Sequence, residues 1–493
     1  MSLSVKIGEW LNPIVIKEMR QAVKGSFTSW TLMLVLAIQL VIIGCVVVLS
    51  EDIGKNFDIG PGLFTGLLAV LLFICLMFLP LFTGGRLSQE KSNSNTDLFF
   101  ITTLTPVQII RGKLFAALTV ALLFFTASLP FMTLTYLLRG LDLPTIFIIL
   151  AYNFILTAFS IQFCIFLGCI AGGIVSRILI LLACLIPLFI LFQAGIASSS
   201  GMLHKGLGST LGTWEFWSNA LTFTSVMLIV IGLLFVLSAS FIAPTSANRL
   251  LGVRLYLVFT WLAAGVIAVS WFFGTGEKDY INIWLVTMVL IFGTNMIASV
   301  CEHQPVSKRI ASVIPKKLIR RIPAFLFYSG PAGGVVFSAV AMTATLLVYP
   351  LLSMAGSKFN NSISVSSNET YLISIGLVFY FCCYALTSLD IKTIFFKNSI
   401  STRSTIIGII ALLIIGSIVP IVIGFLMRKN LWQELPPLWY IGNPLVLFLK
   451  KKIWVECFTF TSVWLIIVLS FSMPWFVKQF RSFRPIETDQ NAS

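Results

Sequence analysis

Residues 29–49 read SWTLMLVLAIQLVIIGCVVVL. These 21 residues contain no charge and no proline. At 1.5 Å per residue, such a run makes a helix of about 30 Å, the thickness of a bilayer's hydrocarbon core. Eleven further runs of comparable character lie near 62–83, 114–137, 146–171, 178–197, 221–243, 255–273, 282–299, 330–355, 371–389, 404–427 and 454–476. Only the break at Gly172, Gly173 and Arg177 separates the fourth from the fifth. The sequence therefore predicts an all-α polytopic membrane protein of about twelve transmembrane helices. Composition agrees: 58% of the 493 residues are hydrophobic and 10% are charged, with a mean hydropathy of +0.99. A soluble core of that size needs a far more charged surface.

Upstream of the first run, residues 7–24 read IGEWLNPIVIKEMRQAVK. Leu11, Ile14, Val15, Met19, Ala22 and Val23 recur at helical spacing, and Asn12, Lys17, Arg20, Gln21 and Lys24 fill the other face. This predicts an amphipathic helix within residues 1–28, lying in the cytoplasmic interface and anchored by Trp10. No cleavable signal peptide is read there, so the first span serves as the targeting signal.

The net charge of +15 raises the question of nucleic acid, and the placement of the charges answers it. With the N-terminus inside, 23 of the 33 Lys and Arg fall in inside segments, the bias of a cytoplasmic face. Both termini are then expected in the cytoplasm and the protein in a bacterial inner membrane, its partners being the lipid bilayer and proteins, with no nucleic acid. Lys450, Lys451 and Lys452 are the exception, since this count puts them outside.

The spans fall into two sets of six, 29–250 and 251–493. Each has a long inside segment after its second span, 84–113 and 299–328, and a longer outside segment before its last, 198–220 and 428–453. The layout suggests two halves built alike. In 428–453, Pro436, Pro437 and Pro444 interrupt helix while Trp432, Trp439 and Tyr440 favour the headgroup level, which predicts a short re-entrant or interfacial element. Gly168/Gly172 and Gly330/Gly334 are spaced for close helix approach, a spacing that also arises by chance in an apolar chain.

The sequence offers little chemistry. No G-x-x-x-x-G-K-[ST] loop occurs: Gly54-Lys55 is followed by Asn56 and Gly112-Lys113 by Leu114. The two histidines, His204 and His303, stand far apart, and the nine cysteines have no metal-ligand spacing. The span centres are almost free of ionisable groups, which disfavours cation-coupled transport. Asp390 and Lys392, at a span end, read as boundary residues. The chain is thus expected to be no enzyme, to bind no cofactor or metal, and to take its energy from elsewhere or use none.

The segment RLSQEKSNSNTDLFFITTLTPVQIIRGK, residues 86–113, is the most informative polar stretch. Glu90 to Asn95 reads as turn-rich. Thr96-Asp97 then caps a short helix whose apolar body is Leu98, Phe99, Phe100 and Ile101. Thr105-Pro106 ends that helix or opens the next. Exposed Leu and Phe on a cytoplasmic helix make a docking knob, worth roughly 1.5–3 kcal/mol per buried side chain before the cost of association. The plainer reading is an interfacial helix that touches only lipid. The second segment carries Lys308, Arg309, Lys316, Lys317, Arg320 and Arg321. Ser307–Ile314 reads there as a second docking helix, or as a basic stretch on anionic headgroups.

The string Glu90…Thr96-Asp97-Leu98…Thr103-Leu104-Thr105-Pro106…Ile110…Gly112-Lys113 resembles the "E…TL-x-LLL-x-TPL…I-x-GK" pattern of ATP-binding-cassette (ABC) transporter permeases of the type-2 exporter class. Asn12-Pro13…Lys17-Glu18…Arg20 resembles their NP-x-x-x-KE-x-R leader. The likeness covers residues 10–137 and departs where Thr96-Asp97-Leu98 replaces Thr-Leu and Asn95 replaces a frequent Gly. It implies an N-terminal interfacial helix, a coupling helix at 95–104 and a re-entrant element before the last span. It also implies a separate cytoplasmic ABC ATPase that carries the ATP and Mg, with a second permease or accessory membrane subunit as a further partner. The implied docking residues are Glu90, Asn95, Thr96, Asp97, Leu98, Phe99, Phe100, Thr105 and Pro106, joined by Lys308 and Arg309. The expected function is ATP-driven export of a hydrophobic or lipid-like substrate. The competing expectation is a scramblase or secretion platform with no ATPase.

Overall fold

A computed structural model describes residues 13–49, 59–92, 105–138, 141–170, 174–205, 211–244, 247–302, 311–312, 314–328, 330–359, 368–395, 402–427, 435–449 and 451–485. Among them there is helix and turn but no strand, and twelve helices are long and apolar enough to cross a membrane. The protein is an all-α polytopic membrane protein. The chain forms two compact units, Met1–Pro244 and Thr245–Ser493.

In the first unit, α1 (Pro13–Lys24) leads into the first span, α2 (Ser26–Leu49). The second span is α3 (Ile59–Leu72), a π-helical turn at Phe73–Phe78, and α4 (Leu79–Ser92). Then come α5 (Pro106–Leu137), α6 (Leu143–Ile170), α7 (Ile174–Lys205) and α8 (Trp214–Ile242). The second unit holds α9 (Leu251–Thr275), α10 (Asp279–Val300), the short α11 (Leu318–Phe327), α12 (Pro331–Phe359) and α13 (Asn368–Asp390) with a π turn at Ile391–Phe395. It closes with α14 (Thr402–Ser417), α15 (Val419–Leu426), α16 (Val446–Leu449) and α17 (Trp454–Ser482).

Burial identifies the axis of each unit. In the first, 56% of the second span and 50% of the fourth are buried, against 11% of the first, fifth and sixth. In the second unit the second and fourth spans again lead, at 50% and 61%. The remaining spans expose Val48, Ile186, Leu347 and Ile466, a surface suited to lipid as solvent.

With lipid on the outside, helix association rests on close packing rather than on expulsion of water. The crossing of α4 and α6 shows how. A Cβ on Gly168 would lie 2.5 Å from the Gly84 carbonyl oxygen, so each helix has a bare backbone where the other passes. The apolar spacing of Gly168 thus marks a real crossing whose partner is Gly84; Gly172 lies outside the described residues.

The helices overrun their apolar cores. The turn expected from Glu90 is instead the last turn of α4, which runs on to Ser92, and α5 starts eight residues before the apolar run at 114. Hydropathy marks where a helix is greasy, not where its hydrogen bonding stops.

In the second unit, residues 435–449 fold back into the bundle. Tyr380 donates its hydroxyl to the Ile441 carbonyl, and Tyr384 donates to the Gly442 carbonyl at 2.6 Å. Both tyrosines lie near the middle of the fourth span of this unit, Glu369–Ile394, so these carbonyls sit at mid-helix depth. The element has only a 3-10 turn at Pro437–Trp439 and the one-turn α16 because Pro436 and Pro437 interrupt a continuous helix, and the tyrosines satisfy carbonyls that lipid cannot. In the first unit, 198–205 simply continue α7. Lys451 pairs with Glu369 at 2.5 Å, which puts it at the end of the unit where α13 starts.

Candidate functional site

The first unit concentrates charge where α4 ends and α5 begins. Lys113, in the second turn of α5, is 6% exposed. Its ammonium lies 3.0 Å from Glu18 Oε1 on α1 and 2.7 Å from Glu90 Oε2 on α4. A buried ammonium is costly unless paired, and here two carboxylates surround it. Arg86, one turn before Glu90, completes the group, 3.8 Å from Glu90 Oε1 and 4.0 Å from Glu18 Oε2. It also donates to the Gln21 side-chain oxygen. Three elements therefore meet in one ionic hub.

Local sequence fixes this geometry. Val15 and Glu18, three residues apart on α1, are both buried, and α1 packs on α5 while Lys17 and Arg20 stay exposed. The leader is thus seated on the third span, with an acid on its inner face beside Val15. Thr105 and Pro106 open α5. Thr105 Oγ1 accepts from Gln108 N at 3.3 Å, and Thr105 N donates to Gln108 Oε1 at 2.8 Å. This capping box satisfies two free helix-end donors, and proline at the first helical position lacks an N–H to satisfy.

Residues 93–104 leave from the last turn of α4 and return at this cap. Asn95, Thr96, Asp97, Leu98, Phe99 and Phe100 lie there, outside the described residues, as do Lys308, Arg309, Trp10 and Leu11; the backbone of Ile14 is in α1. Of the expected docking residues, the structure places Glu90, Thr105 and Pro106, all at the base of the segment.

The second unit builds a comparable hub from other residues. Arg254, in the first turn of α9, is 1% exposed. Its Nη2 donates to Glu302 Oε1 at 3.0 Å, Glu302 Oε2 at 3.3 Å and the Gly330 carbonyl at 3.3 Å. Its Nη1 donates to the Leu326 carbonyl at 2.9 Å and to that of Tyr328. Gly330 N donates back to Glu302 Oε2 at 2.7 Å. Gly330 has φ +152°, which side chains rarely adopt, so glycine lets the chain turn over the carboxylate. Burial pushes the Glu302 carboxyl above its ordinary range, outweighing the pull of Arg254.

A further cation braces each hub, from the fifth span in the first unit and from the fourth in the second. In the first unit, Arg177 on α7 donates to Ser88 Oγ at 3.2 Å and to the Ser88 carbonyl at 3.4 Å. In the second, Lys392 donates to the Val300 carbonyl at 2.7 Å and the Glu302 carbonyl at 2.9 Å. Lys392 is therefore a buried clamp rather than a solvated boundary residue. Asp390 likewise accepts from Ser472 Oγ at 2.8 Å.

α11, just before Gly330, carries cations and exposed apolar residues together: Leu318, Ile319 and Ile322 beside Arg320. Phe325 packs edge-on to Phe480 and Phe483 of the C-terminal region, and Arg321 lies over the Phe480 ring at 5.7 Å. Leu318–Phe327 is one helix of this segment; within Ser307–Ile314 the described Ala311 and Ser312 are also helical, and most of that stretch lies outside the described residues.

Among the described residues no three His, Cys, Asp or Glu converge to hold a metal. The arrangement ties the ends of several spans to the residues that flank 93–104 in the first unit and 303–310 in the second. Arg86, Arg254, Glu302 and Lys392 were not legible as partners in sequence; the available signal was charge inside or just beyond helices that overrun apolar runs.

No family model matches the chain, and comparison with curated proteins and with solved structures found no match.

Proposed function

We propose that this chain is the membrane subunit of an ATP-driven exporter of the ABC type, docking a separate cytoplasmic ATPase through residues 95–104. ATP and Mg reside on that partner. Work done there enters at the base of the segment and passes through Lys113 into α1, α4 and α5. The substrate class that fits the charge-poor spans is hydrophobic or lipid-like.

One observation carries the reading. Glu18, Glu90 and Lys113 come from three separate words of the permease-like pattern, and they meet within 3.0 Å contacts around the segment that would dock the motor. Three words matched by chance have no reason to converge on one ion-pair group. The buried pairing also suits transmission, because a hub that loses a contact when strained has discrete arrangements rather than a soft continuum.

The test is purification from the native membrane in mild detergent, with the bound proteins identified. The reading expects an ATPase with nucleotide-binding motifs that is lost from the Leu98→Asp/Phe99→Asp variant while the chain still folds. A chain that moves its substrate with no ATPase present would favour the passive alternative and end this proposal.

A further inference from the structure

Beside the first hub, a cleft runs between α1–α2, the second span and α5. It takes in about 680 Å³ counted out to its mouth. Its charged end is Glu18, Arg86 and Lys113, and its wall is apolar, including Ile74, Phe78, Phe82, Val120 and Phe124. From these residues we infer that the cleft holds one glycerophospholipid, with its phosphate on Arg86 and one acyl chain along the phenyl-lined wall.

Length is the first argument. Phe124 lies eleven residues beyond Lys113 on α5, about 16 Å along the helix axis. One leaflet of a hydrocarbon core is about 15 Å deep. The cleft therefore covers one leaflet, charged at the end where a headgroup sits and apolar to the depth an acyl chain reaches.

Charge is the second. The two acids and two cations of the hub balance in number but not in position. Lys113 holds both carboxylates at 2.7–3.0 Å, while Arg86 stands 3.8–4.0 Å from them, beyond hydrogen-bonding distance. Among the described residues Arg86 makes one side-chain hydrogen bond, to Gln21, and it is a third exposed. A guanidinium has five N–H donors in a planar fork that suits phosphate oxygens. α1 adds exposed Lys17 and Arg20 on its outer face, the surface that anionic headgroups favour.

The backbone supplies the third. The cleft wall includes the π-helical turn at Phe73–Phe78, which contributes Ile74 and Phe78 to it. Single π turns inside spanning helices widen the helix locally and recur at binding sites. This inference needs no ATPase partner and stands or falls apart from the function proposed above.

The experiment uses the full chain in nanodiscs with a phosphatidylglycerol probe carrying a diazirine in one acyl chain, and adducts are mapped by peptide mass spectrometry. Adducts are expected to concentrate on 74–82 and 117–124. Unlabelled phosphatidylglycerol should compete at least fivefold better than diacylglycerol, which has the tails but no phosphate. Arg86→Gln should lower the labelling at least fivefold. So should Val120→Phe, which fills the wall without touching an ion pair and keeps the test valid if Arg86→Gln misfolds. Labelling spread evenly over lipid-facing helices, equal competition by diacylglycerol, or unchanged labelling in Val120→Phe each overturns the inference.

Discussion

Arg254→Met removes the cation that pairs directly with the Glu302 carboxylate and leaves Lys392 on the neighbouring carbonyls. In the native protein its guanidinium satisfies both oxygens of Glu302 and three main-chain carbonyls, at 1% exposure. After substitution, Glu302 keeps the Gly330 N–H at 2.7 Å but has lost its counter-charge. Removing one partner of a buried pair costs about 3–5 kcal/mol. Orphaned carbonyls add to this only where water fails to reach them, and Glu302 is 15% exposed, so the lower half of that range is the better expectation. For a unit of this size each kcal/mol moves the melting temperature by about 2–4 °C, so a cost of about 3–4 kcal/mol makes the shift roughly 6–16 °C downward. The assay is fluorescence-monitored melting in detergent, with two comparisons. Arg254→Met/Glu302→Met should recover much of the loss, because replacing a buried pair by apolar groups is often near neutral. Lys451→Ala, which breaks a pair exposed at 67% and 51%, should stay within about 4 °C of the parent. An Arg254→Met protein that melts like the parent, or a double variant no better than the single, would refute the reasoning that the hub is buried and interdependent.

Further outcomes follow from other sites. Lys113→Met leaves Glu18 and Glu90 facing each other and should cost about 3 kcal/mol of stability; Glu18→Gln added to it should return part of that, as read by the same melting assay. Gly168→Val forces a side chain to within 2.5 Å of the Gly84 carbonyl, where no flexible group can yield, so α4 and α6 must part. Overpacking of that kind costs about 1–3 kcal/mol, and Gly84→Ala should act in the same direction. The raised carboxyl of Glu302 means that the folded protein holds a proton at pH values where the unfolded chain has lost it. Its contribution is therefore present below the ordinary value of 4.5 and declines as pH rises through the higher folded value, a slope that Glu302→Gln should flatten in melting curves taken against pH.

The spans were legible because a bilayer demands some twenty apolar residues in a row, a constraint that acts on local sequence alone. The hubs were not, because their partners come from far apart in the chain. Lys113 meets Glu18 across 95 positions, and nothing local marks Glu18 as an inward acid among the cations of α1. Arg254 was counted only as a cytoplasmic charge, and its role emerges only when α9, α10 and the turn at Gly330 are brought together. The Gly168 spacing was visible, but its partner Gly84 belongs to another helix and lacks the same spacing. That 435–449 forms no continuous helix was readable from its prolines, whereas its depth depends on Tyr380 and Tyr384, which look like ordinary span residues.

The central claim is that a motor protein seats on residues 95–104. The most direct measurement places a photoreactive amino acid at Leu98 in the native membrane and identifies what it captures. The account predicts one dominant adduct with a protein that carries nucleotide-binding motifs, lost when Phe99 is replaced by Asp. Adducts with lipid alone would contradict it.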